Sequence, residues 1–149
     1  SDGVLKPIPP FYIDIPAASK PAVYPGASIS TFAKALYTLL FTSLSLRFRT
    51  FRDNILLSKA RRSALTDAEI EASASLYAGV RPYLPSKPIC LKDSLAMHRF
   101  IGAGPGQVHL VLGVKLDPFA AHCWLQTDHC LLNEKPDHAL QFTPIFAVS

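Results

Sequence analysis

Helix-breaking residues isolate one helix in the second half of the chain. Three prolines precede it between positions 82 and 88, and three glycines and a proline follow it between positions 102 and 106. Proline lacks a backbone N–H and disfavours helix in the residue before it, so the approach has to be extended. Pro88 also has the fixed φ that suits a first helical turn. The pattern therefore predicts a helix that begins at or beside Cys90 and ends at about Phe100.

Apolar segments after the glycines predict a sheet. Residues 108–116, 121–127 and 130–133 have the composition of strands, and Asp128-His129 suits a two-residue turn between the last two. Residues 142–148 predict a further strand. Helices followed by antiparallel strands indicate an α+β domain.

The first half of the chain predicts two earlier helices. Apolar residues recur at helical spacing from Ser28 to about Phe51. They are Phe32, Leu36, Leu39, Leu40 and Leu44. The uncharged part, residues 35–46, is about a dozen residues long, whereas a membrane span needs roughly 20. A core helix is therefore favoured, with an interfacial helix as the alternative. Thr66 and Glu69 form a capping box that starts the next helix, which should run to about Val80.

The length of 149 residues, 49% of them hydrophobic, suits a single domain. Residues 1–27 hold six of the thirteen prolines and predict an extended arm or linker, which leaves residues 28–149 as the folded domain. The chain begins with Ser1 instead of methionine, so a preceding leader or domain is compatible with the sequence.

Charge and cysteine content narrow the possible partners and location. The formal net charge is +4, and the basic residues lack the interleaved aromatics of a nucleic-acid surface, so no nucleic-acid partner is expected. The basic cluster between Arg47 and Arg62 is interpreted as a solvated face. Three cysteines without a Cys-x-x-Cys pair do not make a disulfide framework. A reducing, cytoplasmic location is expected.

The residue order from Cys90 to Glu134 has the parts that thiol catalysis requires. Cys90 opens a helix, His122 lies on a strand, and polar residues follow on the next strand. A thiolate is the nucleophile in such chemistry, a histidine transfers the proton, and a third group orients the histidine. Hairpin register decides the third group: a two-residue turn puts Asn133 on the His122 face, whereas a longer loop or a bulge brings Glu134 there. With Asp137 just beyond, the spacing leaves all three open.

A metal site is the competing chemistry at these positions. His122-Cys123 and His129-Cys130 are two His-Cys pairs. Neighbouring residues on a strand point to opposite faces, so one pair does not easily share an ion. Neither a metal nor a cofactor is expected. His98 and His109 are predicted to be packing or surface histidines.

The same residues resemble the leader peptidases of lasso-peptide biosynthesis, which are bacterial cysteine proteases with a transglutaminase-like, papain-related fold. The matching segments are Cys90-Leu91-x-x-Ser94-Leu95-Ala96, Leu110-Val111-Leu112-Gly113-Val114, Pro118-Phe119-x-Ala121-His122-x-Trp124 and Asn133-Glu134. They occur in the family's order over about 45 residues. Before Thr66 only a helix and a basic run fit the family.

The resemblance implies that Cys90 is the nucleophile and His122 the base. The family's third residue is an aspartate after an asparagine, and this chain has Glu134 at that position. The implied substrate is a precursor peptide cut between leader and core. The implied partners are a leader-recognition domain or protein and an ATP-dependent lactam synthetase, the macrocyclase. The alternatives are another transglutaminase-like acyl transferase and a non-catalytic peptide-binding module.

Overall fold

The computed structural model describes residues 14–17, 26–59 and 64–148. Within them it has five α-helices, a 3-10 turn and three strands. The helices are α1 (Ile29–Phe48), α2 (Phe51–Lys59), α3 (Asp67–Val80), α4 (Cys90–Ile101) and α5 (Pro136–Ala139), the turn is Arg81–Tyr83, and the strands are β1 (His109–Leu116), β2 (Phe119–Gln126) and β3 (Thr143–Val148). This α+β arrangement confirms the predicted fold class. The predicted arm, residues 1–27, lies largely outside the described residues, and the domain boundary at residue 28 stays a prediction.

Helices α3 and α4 begin and end where local signals predicted. The Thr66 hydroxyl accepts from the Glu69 amide, and the Glu69 carboxylate accepts from the Thr66 amide at 2.8 Å, which completes the capping box. Helix α4 begins at Cys90 and ends at Ile101, and Gly102 caps it with a φ of 68°, in the left-handed region that glycine enters without strain.

The helix predicted from Ser28 to about Phe51 is two helices. Helix α1 ends at Phe48, and α2 starts at Phe51. The Asp53 carboxylate accepts from the Thr50 amide at 3.2 Å, and the Thr50 hydroxyl accepts from the Asp53 amide at 3.2 Å. This reciprocal cap starts a new helix because it satisfies amides that have no partner inside α2.

The predicted core face of α1 is largely wrong. Leu39 is buried, but Leu40 and Leu44 are 52% and 59% exposed. The buried face instead carries Ala35, Thr38, Leu39, Thr42 and Ser45. Thr42 can be buried because its hydroxyl accepts from Arg99 of α4 at 2.7 Å. By length and composition alone α1 could cross a membrane, and 28% of its apolar window is buried inside the protein.

The sheet is antiparallel with strand order β2-β1-β3. A fourth strand at residues 130–133 was predicted and is wrong, because only the single bridge Gln126–Leu131 forms there. The Asn133 side chain ends the pairing. The Leu125 amide, which would donate to a backbone carbonyl in a continued ladder, donates instead to Asn133 Oδ1 at 2.7 Å. The chain therefore leaves the sheet after Leu132.

The sheet separates two hydrophobic clusters. Helix α4 packs on the face that carries Cys123 and Leu125 of β2. The opposite face carries Trp124, which packs with Val111 and Phe142. This layering places the first residue of α4 beside the edge strand β2.

Candidate active site

A network of charged side chains fixes the approach to Cys90. Arg81 donates from Nε to Asp93 of α4 at 2.7 Å, and from its guanidinium to the Ser86 carbonyl at 3.2 Å. The other Asp93 oxygen accepts from the Ile89 amide at 3.0 Å. Because these contacts tie the proline-rich segment to the helix that follows it, Cys90 is held as the first residue of α4, where it is partly buried.

The first turn of α4 has backbone amides without helical partners. The first helical bond runs from the Asp93 amide to the Ile89 carbonyl at 2.9 Å. The amides of Cys90, Leu91 and Lys92 precede it, so they have no acceptor within the helix. The side chain of Lys92 is buried beside this turn and donates to the Lys87 carbonyl at 2.8 Å. The amides without helical partners and the buried Lys92 side chain both favour negative charge near Cys90.

Cys90 and His122 face the same two cavities. The larger cavity, of about 600 Å³, is also lined by Tyr77, Arg81 and Asp93. Its remaining lining residues are Ala78, Pro82, Leu84, Ser86, Pro88, Met97, Cys123 and Asn133. The smaller cavity, of about 290 Å³, is otherwise lined by Phe51, Leu91, Leu110, Leu112, Ala121, Cys123 and Phe146. The two residues therefore lie where the two cavities meet. We refer to the larger cavity as the cleft.

Aromatic packing orients the ring of His122. It lies 5.3 Å from the Phe142 ring and 6.1 Å from the Trp124 ring, measured between centroids. Gly113 is the ladder partner of His122, and a Cβ there would meet both Trp124 and Phe142 at 2.9 Å. Any side chain larger than that of glycine would clash here, because the Trp124 ring and the Cβ of Phe142 fill the space over Gly113.

Glu134 is bonded to the ring of His122. Its Oε2 contacts Nε2 of His122, and its Oε1 accepts from the Lys135 amide at 2.8 Å. Burial raises the pKa of the Glu134 carboxyl, but the Lys135 amide and the hydrogen bonds from His138 and His122 outweigh it. The net pKa of Glu134 is below its ordinary value, so the side chain is a carboxylate at neutral pH.

His138 is a site residue that the sequence analysis missed. Its Nδ1 lies 3.0 Å from Oε2 of Glu134, and its ring is 4.9 Å from that of His122. The short helix α5 begins at Pro136, two residues after Glu134, and places His138 against the Glu134 carboxylate. The only signal in the sequence was the i,i+4 spacing of these residues beside a proline.

The other two candidates for the third residue have different positions. Asn133 accepts from the Leu125 amide and donates to the Ser94 hydroxyl at 2.9 Å, so it connects β2 to α4. Asp137 is exposed in the first turn of α5. The hairpin has the two-residue register, yet Glu134 contacts His122, which contradicts the expected link between that register and Asn133. The hairpin register could not decide between Asn133 and Glu134, because the pairing with β2 ends before residue 133.

Cys123 lines both cavities beside Cys90 and His122, whereas Cys130, His98 and His109 line neither cavity. Cys123 and Cys130 are buried, and none of the three cysteines forms a disulfide. Burial, followed by the neighbouring Cys90 thiol, raises the pKa of Cys123 well above its ordinary value. His98 is buried within α4, and His109 bonds Asp128 at 3.0 Å.

A cation could be held by His122, Glu134 and His138, whose donor atoms lie within 4.8 Å of one another. Of the two His-Cys pairs in the sequence, His122-Cys123 and His129-Cys130, only His122 belongs to this group. The Glu134 oxygen is already in contact with both imidazoles. The arrangement is thus accounted for by hydrogen bonding of one carboxylate to two rings.

Together the fold and the site define an α+β domain in which a cysteine at a helix start and a histidine line one cleft, with a carboxylate bonded to the histidine ring. Residues 35–147 match the model of the transglutaminase-like superfamily, and the chain belongs to that superfamily. Its members include cysteine peptidases and acyltransferases. No curated protein and no solved structure matched the chain.

Proposed function

We propose that this chain is a cysteine peptidase that removes the leader from a lasso-peptide precursor, in the bacterial cytoplasm. The observation that carries the proposal is that Cys90 and His122 line one cleft while Glu134 occupies the Nε2 side of the imidazole. Support for this particular substrate comes from the resemblance of the segments from Cys90 to Glu134 to those leader peptidases.

In the proposed reaction Cys90 is the nucleophile. The glutamate fixes Nε2 of His122 as the protonated nitrogen, which leaves Nδ1 to take the thiol proton. The thiolate attacks the carbonyl carbon at the end of the leader, and a C–S bond forms as the carbonyl π electrons move to oxygen. The free amides at the start of α4 stabilise that oxyanion.

Collapse of the tetrahedral intermediate breaks the C–N bond. The imidazolium of His122 gives its proton to the departing amine, which becomes the N-terminus of the core peptide. Glu134 stabilises the imidazolium between these steps because its carboxylate is ionised. Water, deprotonated by His122, then attacks the thioester and releases the leader as a carboxylic acid, and the proton returns to Cys90.

The partners in this proposal are a leader-recognition domain or protein and an ATP-dependent lactam synthetase. The recognition partner brings the leader to the cleft, and the synthetase closes the ring on the amine that cleavage releases. No nucleic acid and no membrane span enter the proposal.

The test is cleavage of the precursor peptide by the purified chain, with and without the recognition protein, followed by intact-mass spectrometry. The expected products are the leader and the core peptide, whose summed mass exceeds that of the precursor by one water. A product that carries an added amine would identify an acyl transferase instead. Binding without turnover, equal for wild type and Cys90→Ala, would identify a peptide-binding module.

A further inference from the structure

Helix α1 turns its large apolar side chains toward solvent. Its buried side is formed mostly by small or polar residues, which are Ala35, Thr38, Leu39, Thr42 and Ser45. The opposite side carries five large apolar residues that are 38–74% exposed, namely Tyr37, Leu40, Phe41, Leu44 and Phe48. A helix on a domain surface ordinarily turns its apolar side inward. The reversed arrangement indicates that something binds the exposed side.

We refer to these five residues as the outer face of α1. They recur three and four positions apart, and this spacing makes side chains neighbours along one side of a helix. The rings of Tyr37 and Phe41 are stacked, with their centroids 6.0 Å apart. From Tyr37 to Phe48 the strip is about 17 Å long, at about 1.5 Å per residue. It is therefore one continuous apolar surface and not a set of scattered hydrophobic residues.

The inner side of α1 argues against a helix that crosses a membrane. It packs on α3 and α4, and Arg99 of α4 donates to the Thr42 hydroxyl at 2.7 Å. A crossing helix would place Thr42 and its polar neighbours Thr38 and Ser45 in hydrocarbon, which offers them no partner. It would also separate Thr42 from Arg99. The arrangement instead suits a surface on which α1 lies.

The charged residues near the outer face are mostly basic. Residues 28–59 contain five basic residues and one acidic residue, Asp53. Asp53 accepts from the Thr50 hydroxyl at 2.7 Å in the cap of α2. Arg47 and Arg49 are exposed at the end of α1, and no ion pair of the described residues includes either of them. The excess of positive charge favours an acidic surface as the occupant.

A lipid surface fits this combination better than an acidic protein. A strip of leucines and aromatic residues flanked by basic residues is the pattern of helices that lie in the plane of a membrane, with their apolar side in the acyl boundary. Tyr37 suits that boundary because its ring is apolar and its hydroxyl can stay hydrated. The outer face has no other side-chain hydrogen-bonding group, whereas a protein interface of standard size has about ten hydrogen bonds.

We propose that the outer face of α1 docks this protein on an anionic membrane surface, with its leucines and aromatic rings in the acyl boundary and Arg47 and Arg49 at the lipid headgroups. The cytoplasmic leaflet of a membrane carries anionic lipids, so docking of this kind is compatible with a cytoplasmic protein. The inference does not rest on the proposed peptidase function, because no residue of the outer face lines either cavity.

The first experiment measures sedimentation of the purified chain with vesicles of phosphatidylcholine, either alone or mixed with phosphatidylglycerol. Binding should be at least about 10-fold stronger to the mixed vesicles, because each arginine near an anionic surface contributes about fivefold. It should weaken as the salt concentration rises, since salt screens these charges. Arg47→Gln combined with Arg49→Gln should reduce binding to the mixed vesicles by about 10-fold or more and leave binding to phosphatidylcholine unchanged.

Two pairs of leucine variants test the apolar contribution. Leu40→Glu with Leu44→Glu places two charges on the outer face. The matched control, Leu116→Glu with Leu140→Glu, places the same charges at leucines outside α1 that are 83% and 65% exposed. The outer-face pair should lose at least about 10-fold in binding to the mixed vesicles, because both leucines lose their contact with the acyl region. The control pair should lose less than about threefold, since its charges are screened by salt. All four positions are exposed, so both pairs should keep the melting temperature within about 4 °C of the wild type.

A second experiment places a reporter on the outer face and needs no added charge. Trp124 is the one tryptophan of the chain, and it is buried. Tyr37→Trp and Leu116→Trp each add a second tryptophan at an exposed position. Mixed vesicles with brominated acyl chains should quench the added fluorescence of Tyr37→Trp and leave that of Leu116→Trp unchanged.

Equal binding to the two kinds of vesicle, equal losses for the two leucine pairs, or equal quenching at positions 37 and 116 would each overturn the inference. A wild-type chain that binds neither kind of vesicle would overturn it as well. In that case a dimer in light scattering that Leu40→Glu with Leu44→Glu dissociates would assign the outer face to a second copy of the chain, and a monomer would assign it to a protein partner.

Discussion

The carboxylate of Glu134 is bonded to Nε2 of His122, although the two residues lie on a strand and on a loop outside the sheet. His138 Nδ1 contacts the same oxygen at 3.0 Å. The imidazole of His122 is thereby fixed by a carboxylate at one edge and by the rings of Trp124 and Phe142 beside it. A base held in this way loses little freedom on the path to the transition state.

Glu134→Ala should reduce kcat by roughly 10- to 1000-fold, because orienting acids in such triads are worth up to about 10⁴ and a thiolate–imidazolium pair needs less help. Alkylation of Cys90 should continue, since the nucleophile remains. Activity is measured with the precursor peptide, and Asp137→Ala, which alters an exposed carboxylate three residues away, is the control. A wild-type rate for Glu134→Ala would show that Glu134 has no role in catalysis.

Asn133→Ala should act on stability. The side chain of Asn133 satisfies the Leu125 amide and bonds the Ser94 hydroxyl, so its removal leaves buried groups unpaired. The expected loss in the free energy of unfolding is about 1–3 kcal/mol, measured by urea denaturation. A variant that stayed as stable as the wild type but lost all turnover would instead point to a Cys-His-Asn site.

The lowered pKa of Glu134 predicts a pH-dependent contribution to stability. A carboxyl group with a folded pKa below its unfolded value stabilises the protein above the unfolded pKa of about 4.3, and this contribution is lost as the pH falls through the folded pKa. The difference in free energy of unfolding between wild type and Glu134→Gln should be full at neutral pH and shrink below about pH 4. Asp137→Asn provides the comparison. A difference that grows on acidification would contradict the assigned direction.

Cys90 should be the thiol that iodoacetamide labels first at about pH 6.5. It faces two cavities and lies at the start of α4, where negative charge is favoured. Cys123 should react slowly because burial raises the pKa of its thiol, and Cys130 is buried as well. Peptide mapping by mass spectrometry distinguishes the three. Faster labelling of Cys123 or Cys130 would speak against Cys90 as the nucleophile.

Gly113→Ala should impair the site through packing. The added Cβ would lie 2.9 Å from the Trp124 ring and 2.9 Å from the Cβ of Phe142, and these two side chains orient His122. Overpacking of this kind costs about 1–3 kcal/mol in the free energy of unfolding, and displaced rings should lower kcat. Gly26→Ala is the matched control, because nothing lies within 4 Å of its added Cβ. Equal stability and activity for the two variants would show that the rings move aside freely.

Much of the fold could be predicted because its signals are local. The Thr66–Glu69 capping box begins α3, the prolines and glycines delimit α4, and apolar segments of strand-like composition predict β1 and β2. The placement of Cys90 at a helix start followed from the same local rules. Each of these signals acts within a few residues, so no knowledge of distant contacts was needed.

The sequence by itself determined helices α3 and α4, the three strands of the sheet, and the candidate residues Cys90 and His122. Which face of α1 is buried, where the hairpin ladder ends, and which of three polar residues meets His122 were decided by the tertiary structure. Arg99 makes it possible to bury Thr42, and the Asn133 side chain ends the ladder. These outcomes depend on hydrogen bonds between residues as far as 57 positions apart. Periodicity cannot predict them, because it describes only which side of its own element a residue occupies.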